Sequence, residues 1–377
     1  MNPIIILGAG HAAYSLAREI RRHNQDQTIT LITRDSGDSY YKPNLSKALA
    51  SSKTPEQLVL KTREQQEQAL NITVLAHRQV KSIEPNNQVL ELENGEWLPY
   101  ASLMFATGAE SRRFEIAGNA NAEVLHVNDL DEYRIFTDKI QHAQRVLIMG
   151  AGLVGCEFAN DLHSQGIASI LVDPAPFPLA ALLPAPLGNA LQKALTDIGV
   201  EQFYGCTVSQ LTATDSGYEA QLSNGESLDA DLVLSAAGLS VDTTLAASAN
   251  IQCERGIVVN AQLATNQANI YALGDCAEIN GQLRPYIAPI LPSVKALAQT
   301  LLGNPTDVVF GAMPVSVKTP CCPVVACPPA NTNGGEWRIE GEQDNLIARF
   351  EQAGKTTGFA CTGYATSRAK TLQQEMA

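Results

Sequence analysis

Apolar and polar positions follow the same order in two separate parts of the chain. Each part has a short apolar run, a glycine-containing turn, a stretch with one apolar face at helical spacing, and a second apolar run that ends near an aspartate. The first part reads PIIILGAGHAAYSLAREIRRH and then TITLITRD, and the second reads RVLIMGAGLVGCEFANDLHSQG and then SILVDP. A buried strand, a turn, an amphipathic helix and a second strand form a βαβ unit. The pattern therefore predicts an α/β protein with two nucleotide-binding domains.

Stretches with a period of two follow each of these parts. Their alternating apolar residues and Asn-Gly turn signals predict an antiparallel excursion that returns to a buried strand, which ends in Ala106-Thr107-Gly108 or Ala236-Ala237-Gly238. A later strand ends in Gly274-Asp275, and a proline- and cysteine-rich segment begins near Phe310. The predicted domains are 1–112 with 241–309, then 113–240, and a small α+β domain at 310–377.

Composition and charge narrow the possible partners. Of the 377 residues, 45% are hydrophobic and 17% are charged, which is enough apolar material for two or three domain cores. The net charge of -13 repels the phosphates of nucleic acids and anionic membrane surfaces. The eight cysteines lack the spacing of a secreted disulfide scaffold, and no apolar run approaches the length that crosses a bilayer. We therefore expect a cytoplasmic protein with neither a nucleic acid nor a membrane as partner.

The glycine turns carry the first chemical prediction. In Gly8-Ala9-Gly10-His11-Ala12-Ala13 the first glycine permits a tight turn, the second lets backbone N–H groups approach a pyrophosphate, and the small third residue lets the helix pack close to the strand. The turn Gly150-Ala151-Gly152-Leu153-Val154-Gly155 has glycine at all three places. Asp35 and Asp173 follow at the distance where an acid binds an adenosine ribose. Each turn therefore predicts a dinucleotide site with its phosphates at a helix N-terminus.

Asp173 also predicts which nicotinamide cofactor binds. An acid here disfavours the 2′-phosphate of NADPH, and no lysine or arginine occurs from Asp173 through Gln192 to bind that phosphate. We therefore expect NADH. Asp275 follows a glycine at a strand end, where it could accept a hydrogen bond from a ribityl or a ribose hydroxyl. Position alone leaves open which cofactor binds at which turn.

The complete order of motifs resembles the FAD-dependent pyridine nucleotide-disulfide oxidoreductase superfamily, whose glutathione-reductase-like fold has two Rossmann-like dinucleotide-binding domains. The order comprises GxGxxA, Asp35, ATG at 106–108, GxGxxGxE at 150–157, AxG at 236–238 and TNQANIYALGDCAE. The resemblance implies that FAD binds the first domain and NADH the second. The residues implied for FAD are Gly8, Gly10, His11, Ala13, Asp35, Lys42, Pro43, Val80, Thr107, Gly108, Glu157, Gly274, Asp275, Val294 and Lys318. Those implied for NADH are Gly150, Gly152, Leu153, Val154, Gly155, Asp173 and Gly238.

The stretch YYKPNLSK stands where disulfide reductases of this superfamily carry a Cys-x4-Cys pair. No cysteine precedes Cys156, so we expect no redox-active disulfide and no catalytic residue of that kind. The Lys-Pro-x-Leu-Ser pattern, GCEFANDL and MPVSVKTPCCPVV resemble reductases of one-electron carriers, the rubredoxin reductases in particular. That likeness implies an FAD-dependent oxidoreductase that passes hydride from NADH to flavin N5 and then single electrons to rubredoxin or a similar small iron protein. The alternatives are a ferredoxin or flavorubredoxin reductase and a nucleotide-gated signalling flavoprotein.

Lys42 is predicted to lie beside the flavin, where a cation stabilises the negative charge of the reduced ring. Pro43 would fix the start of a helix there, because its missing N–H is costless in a first turn. We expect Glu157 to pair with Lys42, since an isolated buried ammonium tends to lose its proton. A solvated surface position for Lys42 is the alternative. From the resemblance, Lys318 is a second candidate cation at the ring.

The C-terminal cysteines have the spacing of a redox pair. Cys322 and Cys327 are separated by four residues, and Cys321 is adjacent to the first. Prolines before, between and after them argue against the helix that presents such a pair, and three cysteines without a nearby histidine are a poor metal set. We therefore expect buried, unreactive thiols and no metal site.

Overall fold

The computed structural model describes residues 2–376, and its regular elements follow the order that the sequence predicts. The α-helices are α1 (His11–His23), α2 (Pro55–Leu58), α3 (Arg63–Leu70), α4 (Leu130–Ile140), α5 (Leu153–His163), α6 (Ala185–Asp197), α7 (Thr244–Ser248), α8 (Ile290–Leu301) and α9 (Ala369–Glu375). The strands up to residue 120 are β1 (Ile4–Leu7), β2 (Ile29–Ile32), β3 (Ser39–Tyr40), β4 (Val59–Lys61), β5 (Thr73–Leu75), β6 (Val80–Glu84), β7 (Val89–Leu92), β8 (Trp97–Pro99), β9 (Ser102–Phe105), β10 (Glu110–Ser111) and β11 (Ala117–Gly118). The later strands are β12 (Arg145–Met149), β13 (Ala168–Asp173), β14 (Glu201–Tyr204), β15 (Val208–Thr214), β16 (Gly217–Leu222), β17 (Ser227–Ala230), β18 (Leu232–Ser235), β19 (Leu239–Ser240), β20 (Ile257–Val259), β21 (Ile270–Ala272), β22 (Ala277–Ile279), β23 (Gln282–Leu283), β24 (Val315–Val317), β25 (Val324–Cys327), β26 (Gly335–Glu342), β27 (Asn345–Gln352) and β28 (Lys355–Thr362). Short 3₁₀ helices occupy Lys42–Lys47, Pro85–Asn87, Asn121–Glu123, Gly274–Cys276 and Gly363–Arg368.

The chain forms two compact units, each assembled from several segments. The first unit consists of the residues up to Tyr41, Glu56–Glu110 and Leu239–Gly311. The second unit consists of Lys42–Pro55, Ser111–Gly238 and the residues from Ala312 onward. The predicted limits of three domains, at 1–112 with 241–309, 113–240 and 310–377, stay a prediction.

The first unit is built around a parallel sheet with the strand order β21-β9-β1-β2-β5. The central strand β1 pairs in parallel with β2 and β9, with Ile4 opposite Ile29 and Ser102. All four residues of β1 are buried, as expected for a parallel strand that is covered on both faces. The excursion predicted before β9 is the antiparallel sheet β6-β7-β8. Because these parallel strands end at one edge, the carboxyl ends of β1, β9 and β21 are neighbours.

The second unit repeats this arrangement in a parallel sheet with the order β14-β13-β12-β18. Helix α5 packs on β13, and the ring of Phe158 in α5 meets that of Phe136 in α4 edge to face at 5.4 Å. The predicted second excursion forms an antiparallel ladder of β15, β16 and β17, with β11 added in parallel to β15. The two βαβ units predicted from the apolar pattern are therefore both present.

The residues from Ala312 onward form an antiparallel sheet with the order β24-β25-β28-β27-β26. Helix α9 packs against β28, and Leu372 of α9 and Phe359 of β28 are fully buried in the same small core. Strands followed by a terminal helix make this part α+β. The predicted fold class, two Rossmann-like folds with a small α+β part at the C-terminal end, is confirmed.

The stretch YYKPNLSK departs from the predicted α-helix. Lys42–Lys47 is a 3₁₀ helix, and turns follow it. An α-helix that continued here would need the N–H groups of Leu49 and Ala50 for carbonyls four residues earlier. Both groups instead donate to the carboxylate of Asp161, each at 2.9 Å. These two tertiary hydrogen bonds therefore prevent an α-helix from continuing beyond Lys47.

Candidate functional site

The first glycine turn lies at the carboxyl edge of the first unit's parallel sheet. Gly8 has a φ of 108°, which L-residues rarely adopt, and a Cβ there would collide with the carbonyl oxygen of Ala106. A Cβ on Gly10 would meet no atom of residues 2–376 within 4 Å. Helix α1 begins directly after Gly10, with no capping side chain and no acid in its first turn. Its first N–H groups are therefore available to an anion, which fits the pyrophosphate of a dinucleotide.

Two further strand ends lie beside this turn. A Cβ on Gly8 would be 3.5 Å from the Cα of Thr107, which follows β9. A Cβ on Gly274, which follows β21, would be 3.1 Å from the Cβ of Ala12 in α1. Asp275 comes next in a 3₁₀ turn and is partly exposed. The fold therefore brings Gly8, Thr107 and Asp275 to one edge, as predicted for one cofactor.

The other residues predicted for FAD in this unit are more scattered. His11 is exposed at the start of α1, and its ring lies edge-on to that of Tyr41 at 6.2 Å. Asp35 is exposed after β2, where its Oδ1 accepts the Thr33 hydroxyl at 2.7 Å and the Gly37 N–H at 2.9 Å. Its Oδ2 remains for a ribose hydroxyl. The remaining positions are Ala13, buried in α1; Val80, half-buried at the start of β6; Gly108, half-buried after β9; and Val294, buried in α8.

The second glycine turn has the same geometry as the first. Gly150 also has a φ of 108°, and a Cβ there would lie 2.6 Å from the carbonyl oxygen of Ala236. A Cβ on Gly155 would overlap the carbonyl oxygen of Gly150, so the third small residue lets α5 approach the turn. Around Gly152 a Cβ would find no described atom within 4 Å, and α5 starts without a capping side chain or a first-turn acid. This turn also fits a dinucleotide pyrophosphate.

The remaining residues predicted for NADH lie close to that turn. Leu153 and Val154 begin α5, and the apolar side chain of Val154 is exposed. Gly238 follows β18, and its carbonyl accepts the Arg112 N–H at 3.0 Å. Asp173 ends β13; its Oδ2 accepts the N–H of Ala151, inside the turn, at 2.6 Å. A carboxylate has about four acceptor sites, so Asp173 can bind the turn and a ribose together.

Glu157 is the centre of a polar cluster in the second unit. It lies buried in α5, where its Oε2 accepts a hydrogen bond from the Ser46 hydroxyl. Its Oε1 accepts the backbone N–H of Lys318 at 2.8 Å and lies 4.0 Å from the Lys318 ammonium. That ammonium donates to the carbonyl of Pro43 at 2.7 Å. Three segments that are distant in sequence therefore meet at one carboxylate.

The Lys318 side chain carries its charge in a partly buried position. Burial lowers the pKa of its ammonium, while the Glu157 carboxylate opposes that shift and the Lys47 cation adds to it. An ammonium has three donors. One is directed to Pro43, so Lys318 retains donors for a ligand.

The predicted ion pair between Lys42 and Glu157 stays a prediction. The structure does show a second lysine at this carboxylate: the ammonium of Lys318 lies 4.0 Å from Glu157 Oε1. Lys42 begins the 3₁₀ helix, and its charge acts on Glu132 of α4: burial raises the pKa of that carboxyl, and Lys42 opposes the rise. The same 3₁₀ segment directs the Ser46 hydroxyl to Glu157.

Sequence reasoning missed two residues of this cluster. Asn160 Oδ1 accepts the N–H of Cys321 at 3.0 Å, and the buried Asp161 holds the segment after the 3₁₀ helix. Both lie in an otherwise apolar helix, three and four residues after Glu157. A polar pair at that spacing in LVGCEFANDLH is the signal that could have revealed them.

The thiols are free, and burial raises the pKa of each one. Cys322 and Cys327 are buried, as predicted, whereas Cys321 is partly exposed. Cys327 ends the strand β25 and does not lie on a helix. Within residues 2–376, the His, Cys, Asp and Glu side chains form no group suited to a metal ion. The same residues contain no helix with the length and apolarity of a membrane span.

Comparisons with known proteins agree with this geometry. The family model described as "Rubredoxin binding C-terminal domain" matches residues 307–376. A "Rubredoxin-NAD(+) reductase" of Acinetobacter baylyi is 41% identical over 371 residues, which are 96% of this chain and 94% of the relative. A protein of the same name from Alcanivorax borkumensis is 38% identical over 378 residues and covers 100% of this chain and 99% of its own.

A solved structure and a second family model cover the nucleotide-binding parts. The crystal structure of the ferredoxin reductase for the CYP199A2 system from Rhodopseudomonas palustris has a TM-score of 0.91 and 25% identity, and covers 100% of this chain and 96% of its own. The family model described as "Pyridine nucleotide-disulphide oxidoreductase" matches residues 2–296, well over half of the chain. The chain belongs to the pyridine nucleotide-disulphide oxidoreductase family.

Proposed function

We propose that this protein is an FAD-dependent NADH:rubredoxin oxidoreductase. The observation that carries the proposal is the cluster of Ser46, Glu157 and Lys318. Ser46 lies in the segment where disulfide reductases place a Cys-x4-Cys pair, and Glu157 and Lys318 bind that segment through Ser46 and Pro43. No cysteine precedes Cys156, so this segment cannot store electrons as a disulfide. The match of residues 307–376 to a rubredoxin-binding domain supports a small iron protein as the acceptor.

The first glycine turn is the proposed FAD site. When bound, FAD would take two electrons from NADH and release them singly to an iron protein. The uncapped N-terminus of α1 would bind the pyrophosphate, with Gly10 giving room for its approach. Asp35 would accept a hydrogen bond from the adenosine ribose, and Asp275 one from the ribityl chain.

The second glycine turn is the proposed NADH site. The start of α5 and Gly152 would bind the second pyrophosphate as α1 and Gly10 bind the first. Asp173 would bind the adenosine ribose while it also holds the turn through Ala151. Its negative charge would repel a 2′-phosphate, so NADH is the preferred donor.

Lys318 is the cation that we place beside the flavin ring. Its role is to hold positive charge where the reduced ring carries negative charge, in a site where Coulomb interactions are stronger than in water. Burial lowers the pKa of Lys318, and the Glu157 carboxylate counters that shift and so favours the charged ammonium. The Pro43 carbonyl fixes the direction of the side chain through its 2.7 Å hydrogen bond.

The acceptor must dock close to the flavin, because the chain offers no disulfide relay. We propose that the C-terminal α+β part, 310–377, supplies much of that docking surface, since the rubredoxin-binding family model covers it. The free thiols suit a reducing compartment, and we propose the cytoplasm as the site of action.

The proposal is tested by anaerobic reduction and acceptor assays on the purified holoenzyme. NADH should bleach the flavin absorbance faster than NADPH does. Steady-state assays should then compare rubredoxin, ferredoxin, flavorubredoxin and a low-molecular-weight disulfide. We expect rubredoxin to give the highest kcat/KM and the disulfide to give no turnover.

Three results would contradict the proposal. Absence of bound flavin would show that the FAD assignment is wrong. Rapid reduction of the disulfide would show that the protein acts as a disulfide reductase. A higher kcat/KM with ferredoxin or flavorubredoxin would support one-electron transfer but show that rubredoxin is not the preferred acceptor.

A further inference from the structure

Helix α5 presents three polar side chains to two separate segments of the second unit. Glu157, Asn160 and Asp161 stand at positions i, i+3 and i+4, so they share one face of the helix. Glu157 and Asp161 bind the segment Lys42–Ala50, and Glu157 and Asn160 bind the residues just after β24. One helix therefore holds both of the segments that surround the Lys318 ammonium.

Asp161 attaches to the segment Lys42–Ala50 through two backbone hydrogen bonds. The residue is 3% exposed, and its two carboxylate oxygens accept the N–H groups of Leu49 and Ala50 at 2.9 Å each. Hydrogen bonds to an ionised acceptor are about twice as strong as those between neutral groups. The carboxylate therefore fixes two successive peptide units against α5.

The peptide units that Asp161 holds are closely linked to the hydrogen-bond acceptor of Lys318. The Pro43 carbonyl lies six residues before Leu49, and the 3₁₀ helix spans most of that distance. Ser46, which lies midway between Pro43 and Leu49, donates a hydrogen bond to Glu157. Asp161 and Glu157 thus hold the carboxyl-terminal half of the stretch that carries the Pro43 carbonyl, to which the Lys318 ammonium donates at 2.7 Å.

We propose that Asp161 is a positioning residue for electron transfer: by holding Leu49 and Ala50 it sets the Pro43 carbonyl and thereby the direction of the Lys318 ammonium. The inference rests on the proposed function, in which Lys318 lies beside the flavin. Asp161 itself touches neither the reacting atoms nor Lys318. It acts through the backbone of the segment Lys42–Ala50.

The charge of Asp161 supports a functional role. Burial raises the pKa of this carboxyl to about 6 and Glu157 adds to the rise, whereas the two backbone N–H groups and the Lys47 cation oppose it. Burial raises the pKa of the Tyr133 phenol in α4, and the Asp161 carboxylate adds to that rise. Asp161 is therefore ionised at neutral pH although burial opposes it, a pattern that is enriched at functional sites.

The test uses Asp161→Asn in the holoenzyme, with Asp231→Asn as the matched control. Asp231 also accepts two successive backbone N–H groups, from Gln144 at 2.6 Å and Arg145 at 2.8 Å, and it has no part in the Lys318 cluster. The Asn side chain keeps the shape of Asp161 but opposes one N–H with its own amide donor. Hydrogen exchange should accelerate in peptides that cover 42–52 of Asp161→Asn and stay unchanged there in Asp231→Asn.

Flavin measurements then show whether Asp161 acts through Lys318. We expect Asp161→Asn to slow NADH-dependent flavin reduction by about tenfold, because misdirected groups lose transition-state contacts. We also expect a lower flavin midpoint potential, because a misdirected ammonium stabilises the negative charge of the reduced ring less. Asp231→Asn should alter neither quantity. In a Lys318→Met background, Asp161→Asn should cause no further change in rate or potential.

Additive effects of Asp161→Asn and Lys318→Met would overturn the inference, because they would show independent action. Unchanged exchange in peptides that cover 42–52 would also overturn it. Normal flavin behaviour of Asp161→Asn, in a wild-type enzyme that reacts with NADH, would refute the inference alone. A wild-type protein without flavin, or one that does not react with NADH, would refute the proposed function instead.

Discussion

Lys318 concentrates the electrostatics of the proposed active site in one side chain. Its ammonium is partly buried and bonded to the Pro43 carbonyl, and it faces the buried carboxylate of Glu157. Lys42, the residue that the YYKPNLSK motif singled out, lies at the start of the same segment but acts on Glu132. The two lysines are therefore expected to differ in function.

Replacing Lys318 by Met should slow the reduction of the flavin by NADH more than replacing Lys42 by Met does. Loss of a preorganised donor at a site of developing charge costs about a hundredfold in rate, and we expect that magnitude for Lys318→Met. Anaerobic stopped-flow absorbance measures the rate, and the exposed Lys53, replaced by Met, is the control. Equal rates of flavin reduction in Lys318→Met and wild type would show that Lys318 does not act on the flavin ring.

Asp161 makes the stability of the fold depend on pH. Its pKa of about 6 in the folded protein exceeds its ordinary value of 3.8, so the folded state binds this proton more tightly than the unfolded chain does. The resulting stability is fully present below the unfolded pKa and is lost as the pH rises through about 6. Two pKa units correspond to about 3 kcal/mol.

We therefore expect the free energy of unfolding of the wild type, relative to Asp161→Asn, to fall by up to about 3 kcal/mol over that pH range. Denaturant titrations of both proteins at a series of pH values measure the difference. Parallel pH dependences in the two proteins would show that Asp161 does not titrate there.

The two glycine turns illustrate how an element prepares a binding site. A Cβ on Gly155 would overlap the Gly150 carbonyl oxygen, whereas a Cβ on Gly152 would point into space that no described atom fills. Gly155 therefore serves the packing of α5 against its own turn. Gly152 leaves room for a group that approaches the N-terminus of α5.

Alanine substitutions should separate these two roles. We expect Gly155→Ala to lower the melting temperature, because α5 must move away from the turn. Gly152→Ala should leave the melting temperature unchanged and raise the Kd for NADH, because the new methyl occupies the space of the pyrophosphate. Thermal unfolding and NADH titration measure the two effects; a large loss of stability in Gly152→Ala would contradict this assignment.

The sequence predicted the elements better than their cross-connections. Continuous apolar runs and helical spacing revealed both βαβ units. A parallel strand that is buried on both faces has apolar residues at successive positions, so the local sequence shows it directly. The contact of Lys318 with Glu157 was missed because the two residues lie 161 positions apart, and local spacing cannot show which distant lysine reaches a carboxylate. The end of the helical segment at Lys47 was missed because Asp161, also distant in sequence, accepts the N–H groups that would extend an α-helix.

At the scale of the whole molecule, charge bears on the encounter with the acceptor. The net charge of -13 repels an acidic partner, so an acidic rubredoxin would approach against the overall field. Salt screens such repulsion over about 10 Å at 0.1 M. Long-range steering therefore opposes association, and local contacts must supply the binding.

We expect kcat/KM for rubredoxin to rise or stay level as sodium chloride is added, because screening weakens the overall repulsion. Steady-state assays from low salt to about 0.1 M measure the trend. KM for NADH under the same conditions is the control for effects on the enzyme itself. A steep fall in kcat/KM for rubredoxin would instead indicate a cationic docking rim.

The central claim is that electrons pass from NADH to a one-electron iron carrier without a disulfide intermediate. Its most direct test is a stoichiometric titration, in which limiting NADH is added anaerobically to a catalytic amount of holoenzyme and an excess of oxidised rubredoxin. The titration is done once with untreated enzyme and once with enzyme whose accessible thiols were alkylated before rubredoxin was added. The account predicts two rubredoxins reduced per NADH in both samples. Loss of rubredoxin reduction after alkylation, or electrons recovered in a dithiol instead of in rubredoxin, would contradict it.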